Sequence, residues 1–222
     1  MLRAVIARAH RDIDHRAVDN RVLGPRALAT RKRLLDATAE LLESGGLLDF
    51  KVVEVARKIG TSPATFYQYF ATVEDVILAL SNEIGSELEP VHDAIRQPWD
   101  TEAGLRLARE LVGAYMRHWD QHRAVLRIRN LAAEEGDQRF RAARLKVTEP
   151  ITAALAAKVA ESKSAGKVAA EVNSYAAAAA MVALLERMVA YRFELEARGV
   201  DRDALVETTA RIIHQTVTGD PA

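Results

Sequence analysis

Residues 51–75 read KVVEVARKIGTSPATFYQYFATVED, and the rest of the chain is organised around them. Val52, Val55, Ala56 and Ile59 recur at the spacing of one buried helical face. Gly60 then supplies a residue that tolerates positive φ where a sharp turn is needed. Ser62-Pro63 marks a helix start: the serine side chain caps orphan N–H groups, and proline suits the first helical position. A second short helix over 63–70 places Phe66 and Phe70 four apart on one face, leaving Ala64, Thr65, Tyr67 and Gln68 outward. Two short helices joined by a glycine-containing turn of three or four residues describe a helix-turn-helix, whose second helix enters the major groove of DNA.

GTSPATFYQYF (60–70), followed by the acidic helix start TVED (72–75), resembles the DNA-binding signature of the tetracycline-repressor (TetR) family of transcriptional regulators. In that family the aromatic pair ending the recognition helix is close to diagnostic. The likeness is sharp over residues 30–80 and elsewhere rests on helix order and length. It implies a double-stranded operator DNA partner. Thr65, Tyr67 and Tyr69 would meet mainly the backbone, and Pro63, Ala64 and Gln68 would lie nearest the bases, with Thr61, Ser62 and Thr72 beside them. Chemically, Gln68 suits a bidentate contact with adenine and Ala64 a thymine methyl; each good pair is worth about 1–3 kcal/mol of discrimination. Two positions depart from the family pattern. Phe50 stands where a threonine commonly opens the first helix of the motif, with Lys51 offering a charge in place of the hydroxyl. Val73 stands where a phosphate-touching lysine is usual.

Over 222 residues the chain is 49% apolar but only 5% aromatic, rich in alanine, and without a run of alternating apolar residues. An all-α class follows. The expected organisation is a basic extension over 1–26, a helix-turn-helix domain over 27–72, and a ligand-binding and dimerisation domain over 73–222, about nine helices in all. Net charge is zero, yet residues 1–33 hold nine Arg or Lys against three acids. That stretch reads either as a solvated leader or as a basic arm for phosphates or a groove. Cysteine is absent, which excludes disulfides and thiolate metal sites. The longest apolar run, Ala176 to Leu185, is too short to cross a membrane, and no signal-peptide core is present. A soluble, cytoplasmic protein is the expectation.

Periodicity and caps place helices over about 27–44, 72–95 (opened by a Thr72/Asp75 capping box), 101–119, 123–135, 137 onward with Pro150 kinking or interrupting it, 168–197, and 202–216. Leu205, Thr209, Ile212, Ile213 and Thr216 are assigned to one face of the last. The resemblance implies that the helices over 168–197 and 202–216 meet their copies in a homodimer. It also implies a small-molecule effector cavity; Tyr115, Met116, Trp119, Phe140, Met181, Leu185 and Met188 are suited to a lipophilic ligand, with Arg127 or Asn130 as polar anchors. Met and aromatic residues at this spacing equally fill any bundle core.

His118 and His122 have the i, i+4 spacing of a metal pair but lack the adjacent glutamate of the helical protease motif, and read better as solvated or capping histidines. No metal or cofactor is expected. There is no phosphate-cradling glycine loop, nucleophile elbow or acid–base pair, so the chain does not read as an enzyme. A helical-bundle enzyme and a helical interaction module without DNA binding are the competing classes; neither explains the turn and cap at Gly60–Thr65.

Overall fold

The computed structural model describes residues 17–19, 21–47, 49–99 and 101–220. Every regular element among the described residues is helical, as expected. In order these are α1 (Pro25–Gly45), α2 (Val52–Lys58), α3 (Pro63–Tyr69), α4 (Val73–Ile84), a 3-10 turn (Gly85–Leu88), α5 (Glu89–Arg96), α6 (Thr101–Gln121), α7 (Arg123–Glu134), α8 (Gln138–Ser164), α9 (Ser174–Ala190), α10 (Arg192–Glu196) and α11 (Arg202–Thr218). Arg3, Arg8, Arg11 and Arg16 of the basic extension lie outside the described residues, as does Asp100.

Two helices expected as single rods are divided. The stretch over 72–95 breaks into α4, the 3-10 turn and α5. Gly85 is a weak helix former, and Pro90 sits in the first turn of α5, the one place where its missing N–H costs nothing. The stretch over 168–197 begins only at Ser174, where Asn173 accepts the Ala176 N–H at 2.9 Å. It breaks again at Tyr191 before α10. Conversely, α8 runs unbroken through Pro150. Pro150 is exposed, so the carbonyl that loses its helical partner there lies on the watered side.

The chain separates into two compact units, residues 1–83 with 122–141, and residues 84–121 with 142–222. The expected boundary at 72/73 thus falls inside the first unit. In that unit Leu34, Leu35 and Leu42 of α1, Val55 and Ala56 of α2, Phe66 and Phe70, and Val76, Ile77 and Leu80 of α4 are buried, with Val125 and Leu126 of α7. Burying each of the larger of these, the valines, leucines, isoleucine and phenylalanines, stabilises the fold by about 1.5–3 kcal/mol. Helix α7 packs on α1, and Glu43 of α1 accepts the Ala124 N–H at 2.8 Å, filling one of the orphan donors of the α7 start.

In the second unit α6 is central, packing against α5, α9 and α11. Leu107, Leu111, Met116, Leu185, Leu205 and Ile213 are all buried. The expected face of α11 needs correction: Leu205, Thr209, Ile213 and Val217 point inward, whereas Ile212 is 45% exposed and Thr216 is half-buried. Ile212 is adjacent to Ile213, and one residue is 100° around a helix, enough to leave the buried stripe.

Candidate nucleic-acid interface

Helix α2 ends in a closed turn built from its own backbone. Ile59 is the C-cap, Gly60 takes φ +71°, the Gly60 N–H donates to Arg57 O at 3.1 Å, and the Thr61 N–H donates to Ala56 O at 2.9 Å. These are the paired 5→2 and 6→1 bonds of a Schellman motif, which satisfy carbonyls that the helix end leaves open. Arg33 of α1 adds a third tie, its Nη2 donating to Ile59 O at 2.6 Å. Two residues later Ser62, in an extended conformation, accepts the Thr65 N–H on its Oγ at 3.3 Å and starts α3 with Pro63 in its first turn.

The packing of α3 sets which face is presented. Phe66 is fully buried and Phe70 nearly so, their rings 5.6 Å apart. The Arg31 guanidinium lies 5.1 Å over the Phe70 ring, a cation–π placement. With that face committed inward, Ser62, Pro63, Ala64, Tyr67 and Gln68 are exposed, while Thr61, Thr65 and Tyr69 are half-buried. Tyr67 is 51% exposed, and the edge of its ring meets Phe66 at 5.5 Å between centroids. Beyond α3, Thr72 and Asp75 cap reciprocally: the Thr72 N–H donates to Asp75 Oδ2 at 3.1 Å and the Asp75 N–H to Thr72 Oγ1 at 3.2 Å. Arg139 in the same unit holds the other oxygen of Asp75 at 3.1 Å.

Positive charge surrounds this surface unevenly. Lys51, at the start of α2, and Arg57, in its last turn, are exposed and make no ion pair among the described residues. Lys58 is engaged by Glu40 at 2.7 Å, and Lys32 by Asp36 and Glu83 at 2.7 and 2.6 Å, so they serve the fold first. The two carboxylates raise the Lys32 pKa, through hydrogen bonds first and Coulomb attraction second. What remains is the exposed face of α3 together with two cations on the helix before it that are unpaired among the described residues, chemistry suited to a phosphate-lined groove.

The residues expected around an effector are more scattered. Tyr115, Met116 and Trp119 are buried on α6 and Met181 and Leu185 on α9, with Met188 half-buried, all in the second unit. Arg127, Asn130 and Phe140 belong to the first unit, where Arg127 is exposed, Asn130 half-buried and Phe140 buried. Asn130 Oδ1 accepts from Arg129 Nε at 3.0 Å. Trp119 Nε1 is buried and meets no acceptor among the described residues, whereas Trp99 Nε1 donates to Ala94 O at 2.9 Å. His118 is buried near the end of α6, and His122 stands at the start of α7 without a side-chain capping bond. Sequence reasoning missed Arg31 and Arg33: they registered only as charge, because nothing local announces a partner 26 or more residues away.

The profile described as "Tetracyclin repressor-like, C-terminal domain" matches residues 92–222, and that of "Bacterial regulatory proteins, tetR family" matches 34–80. A comparison with curated protein sequences gives no match. Among solved structures, a protein of unknown function from Rhodococcus sp. RHA1 is similar with TM-score 0.65 and 17% identity, over 85% of this chain and 95% of its own. A TetR transcription regulator from Haloarcula marismortui superposes with TM-score 0.64 and 19% identity, over 86% and 97%. The regulator FadR from Bacillus subtilis, in complex with stearoyl-CoA, gives 0.61 and 15%, over 85% and 98%. At such identities the structures speak for the fold; the profiles, one of them spanning more than half of the chain, show that it belongs to the tetracycline-repressor family of DNA-binding transcriptional regulators.

Proposed function

We propose that the protein is a homodimeric repressor that reads an operator with α3 and leaves it when a small lipophilic effector binds the second unit. The observation that carries the reading is the commitment of α3: with Phe66 and Phe70 buried, Ala64, Tyr67 and Gln68 are held outward on a helix capped by Ser62. Thr65, Tyr67 and Tyr69 serve the backbone, Pro63, Ala64 and Gln68 the bases, and Lys51, Thr61, Ser62 and Thr72 the flanking phosphates. An operator partner sets the cytoplasm as the place of action. The test is a salt-dependent electrophoretic shift with DNA from the protein's own promoter region. Binding that prefers one duplex over scrambled DNA supports the reading; equal affinity for both removes it.

Dimerisation through α9 and α11 is supported by an exposed strip on α9. Ala176, Ala179, Ala180 and Ala183 are all open, beside Tyr175 at 51% exposure, with Ile212 exposed on α11. Small side chains at i, i+3, i+4 and i+7 let a second helix approach closely. Two recognition helices also need a separation of about 34–36 Å to read successive major grooves, which a single copy cannot supply. Ala180→Glu is expected to turn a dimer into a monomer in sedimentation; a parent that sediments as a monomer at micromolar concentration refutes the assignment.

For the effector, the buried Trp119 N–H without an acceptor supports a molecule that brings one, such as a carbonyl or carboxylate on an apolar body. Met116, Met181 and Leu185 are buried apolar side chains of the same unit. FadR from Bacillus subtilis, a neighbour in fold, was solved in complex with stearoyl-CoA. Mass spectrometry of small molecules carried through native purification tests this reading; a bound molecule with no hydrogen-bond acceptor speaks against it.

A further inference from the structure

We propose that the segment formed by residues 17–19 and 21–23 is a positioning element of the recognition helix, holding Gln68 through the main chain. The inference rests on the DNA-reading role proposed for α3. Helix α3 has only seven residues, so its last carbonyls lack helical partners and must find others. Phe70 N–H takes the carbonyl of Phe66 at 3.0 Å, and the carbonyl of Gln68 is taken by the Val18 N–H at 3.1 Å, fifty residues earlier in the chain. The donor is itself held in place. The Ala17 N–H donates to Arg21 O at 2.9 Å, the Arg21 N–H to Asp19 Oδ1 at 3.1 Å, and Ala17 and Leu23 are buried at 9% and 6% exposure. Gly24 and Pro25 then lead directly into α1, where Gly24 O accepts the Leu28 N–H at 3.0 Å. The turn therefore ties the start of α1 to the far end of α3.

The tie is made by backbone atoms, while the side chains of Val18 and Val22 are 52% and 64% exposed. Its contribution is therefore geometric and not a matter of charge. Removing a basic arm that grips phosphates would change the salt dependence of binding, by roughly 0.9 in the logarithmic slope for each phosphate no longer neutralised. Disturbing a positioning turn leaves that slope alone and alters how well the base facing Gln68 is discriminated.

Val18→Pro removes the donor without changing charge, at a turn position where a fixed φ is commonly accommodated; Val18→Ala keeps the N–H and serves as control. Both are titrated, across a range of salt, against a duplex selected from randomised DNA by the parent protein and against single-base variants of it. Amide exchange of Tyr69 and Phe70 is followed in the absence of DNA. Val18→Pro is expected to lose affinity by up to about fivefold, the ceiling set by one net hydrogen bond, with unchanged salt slope, weaker discrimination at one base position, and faster exchange at Tyr69 and Phe70. Val18→Ala should match the parent in all four. Parent-like exchange in Val18→Pro overturns the proposal whether or not DNA is bound, and so does a loss of affinity accompanied by a shallower salt slope. If the parent selects no sequence, the DNA-reading role itself fails, and the exchange measurement still decides whether the turn holds α3.

Discussion

Replacing Gly60 by alanine isolates the conformational cost of the turn between α2 and α3. A Cβ built at Gly60 meets nothing within 4 Å, so the substitution introduces no collision. The remaining cost is that of holding an L-residue at φ +71°, about 1–2 kcal/mol. Relaxing out of that conformation would break the Gly60 N–H bond to Arg57 O and the Thr61 N–H bond to Ala56 O, each worth about 0.5–1.5 kcal/mol net. Escape is therefore no cheaper than strain, and the variant keeps the turn while opening it more often. The readout is amide exchange at Thr61, measured where the rate reports the opening equilibrium. It should rise about 5–30-fold in Gly60→Ala and less in Gly60→Asn, since asparagine visits the left-handed region more readily. Circular dichroism should remain that of the parent. Parent-like exchange at Thr61 in the alanine variant, or faster exchange in the asparagine variant than in the alanine one, would refute the reasoning.

Gln68→Ala should cost about 1–3 kcal/mol of discrimination at one operator position, whereas Tyr67→Phe should weaken binding to all sequences alike; titrations against a panel of duplexes separate the two. His214 of α11 is 2% exposed, and neither ring nitrogen has a partner among the described residues. Burial lowers its pKa below 6.5, Asp220 opposing and Arg211 reinforcing the shift. Below pH 6.5 the unfolded chain binds the proton that the folded one resists, so stability is level above that pH and declines as pH falls beneath it. Denaturation midpoints at pH 7.5 and 5.5 should therefore diverge more for the parent than for His214→Leu, and parallel losses count against the assignment. Gly219→Ala should destabilise α11 by more than Gly60→Ala affects its own turn. It combines φ +73° with a Cβ position only 2.0 Å from Lys167 O, and thermal melts of the two variants compare them directly.

Where local chemistry decides, the chain was legible before folding. The Ser62 cap, the Thr72/Asp75 box and the positive φ of Gly60 are all in place, because each is settled among residues at most five apart. The inward pair Phe66/Phe70 and the outward Ala64, Tyr67 and Gln68 followed from helical period alone. Breaks inside long apolar stretches were harder to see. Gly85 and Pro90 divide one expected helix while Pro150 leaves another whole; both prolines are exposed, and what sets the first apart is the weak helix former Gly85 shortly before it.

From its residues alone the chain determines that it is helical, that two short helices meet at Gly60, and which side of the second is polar, since these depend on period, caps and φ. Tertiary structure alone decides that Arg33 closes the end of α2, that Arg31 covers Phe70, that Ile212 faces outward, and that the backbone of Val18 holds Gln68. Main-chain N–H donors are present in every residue but proline, carbonyl acceptors in all, and neither leaves a mark on side-chain identity. A link made through them across fifty positions is therefore invisible until the chain has folded.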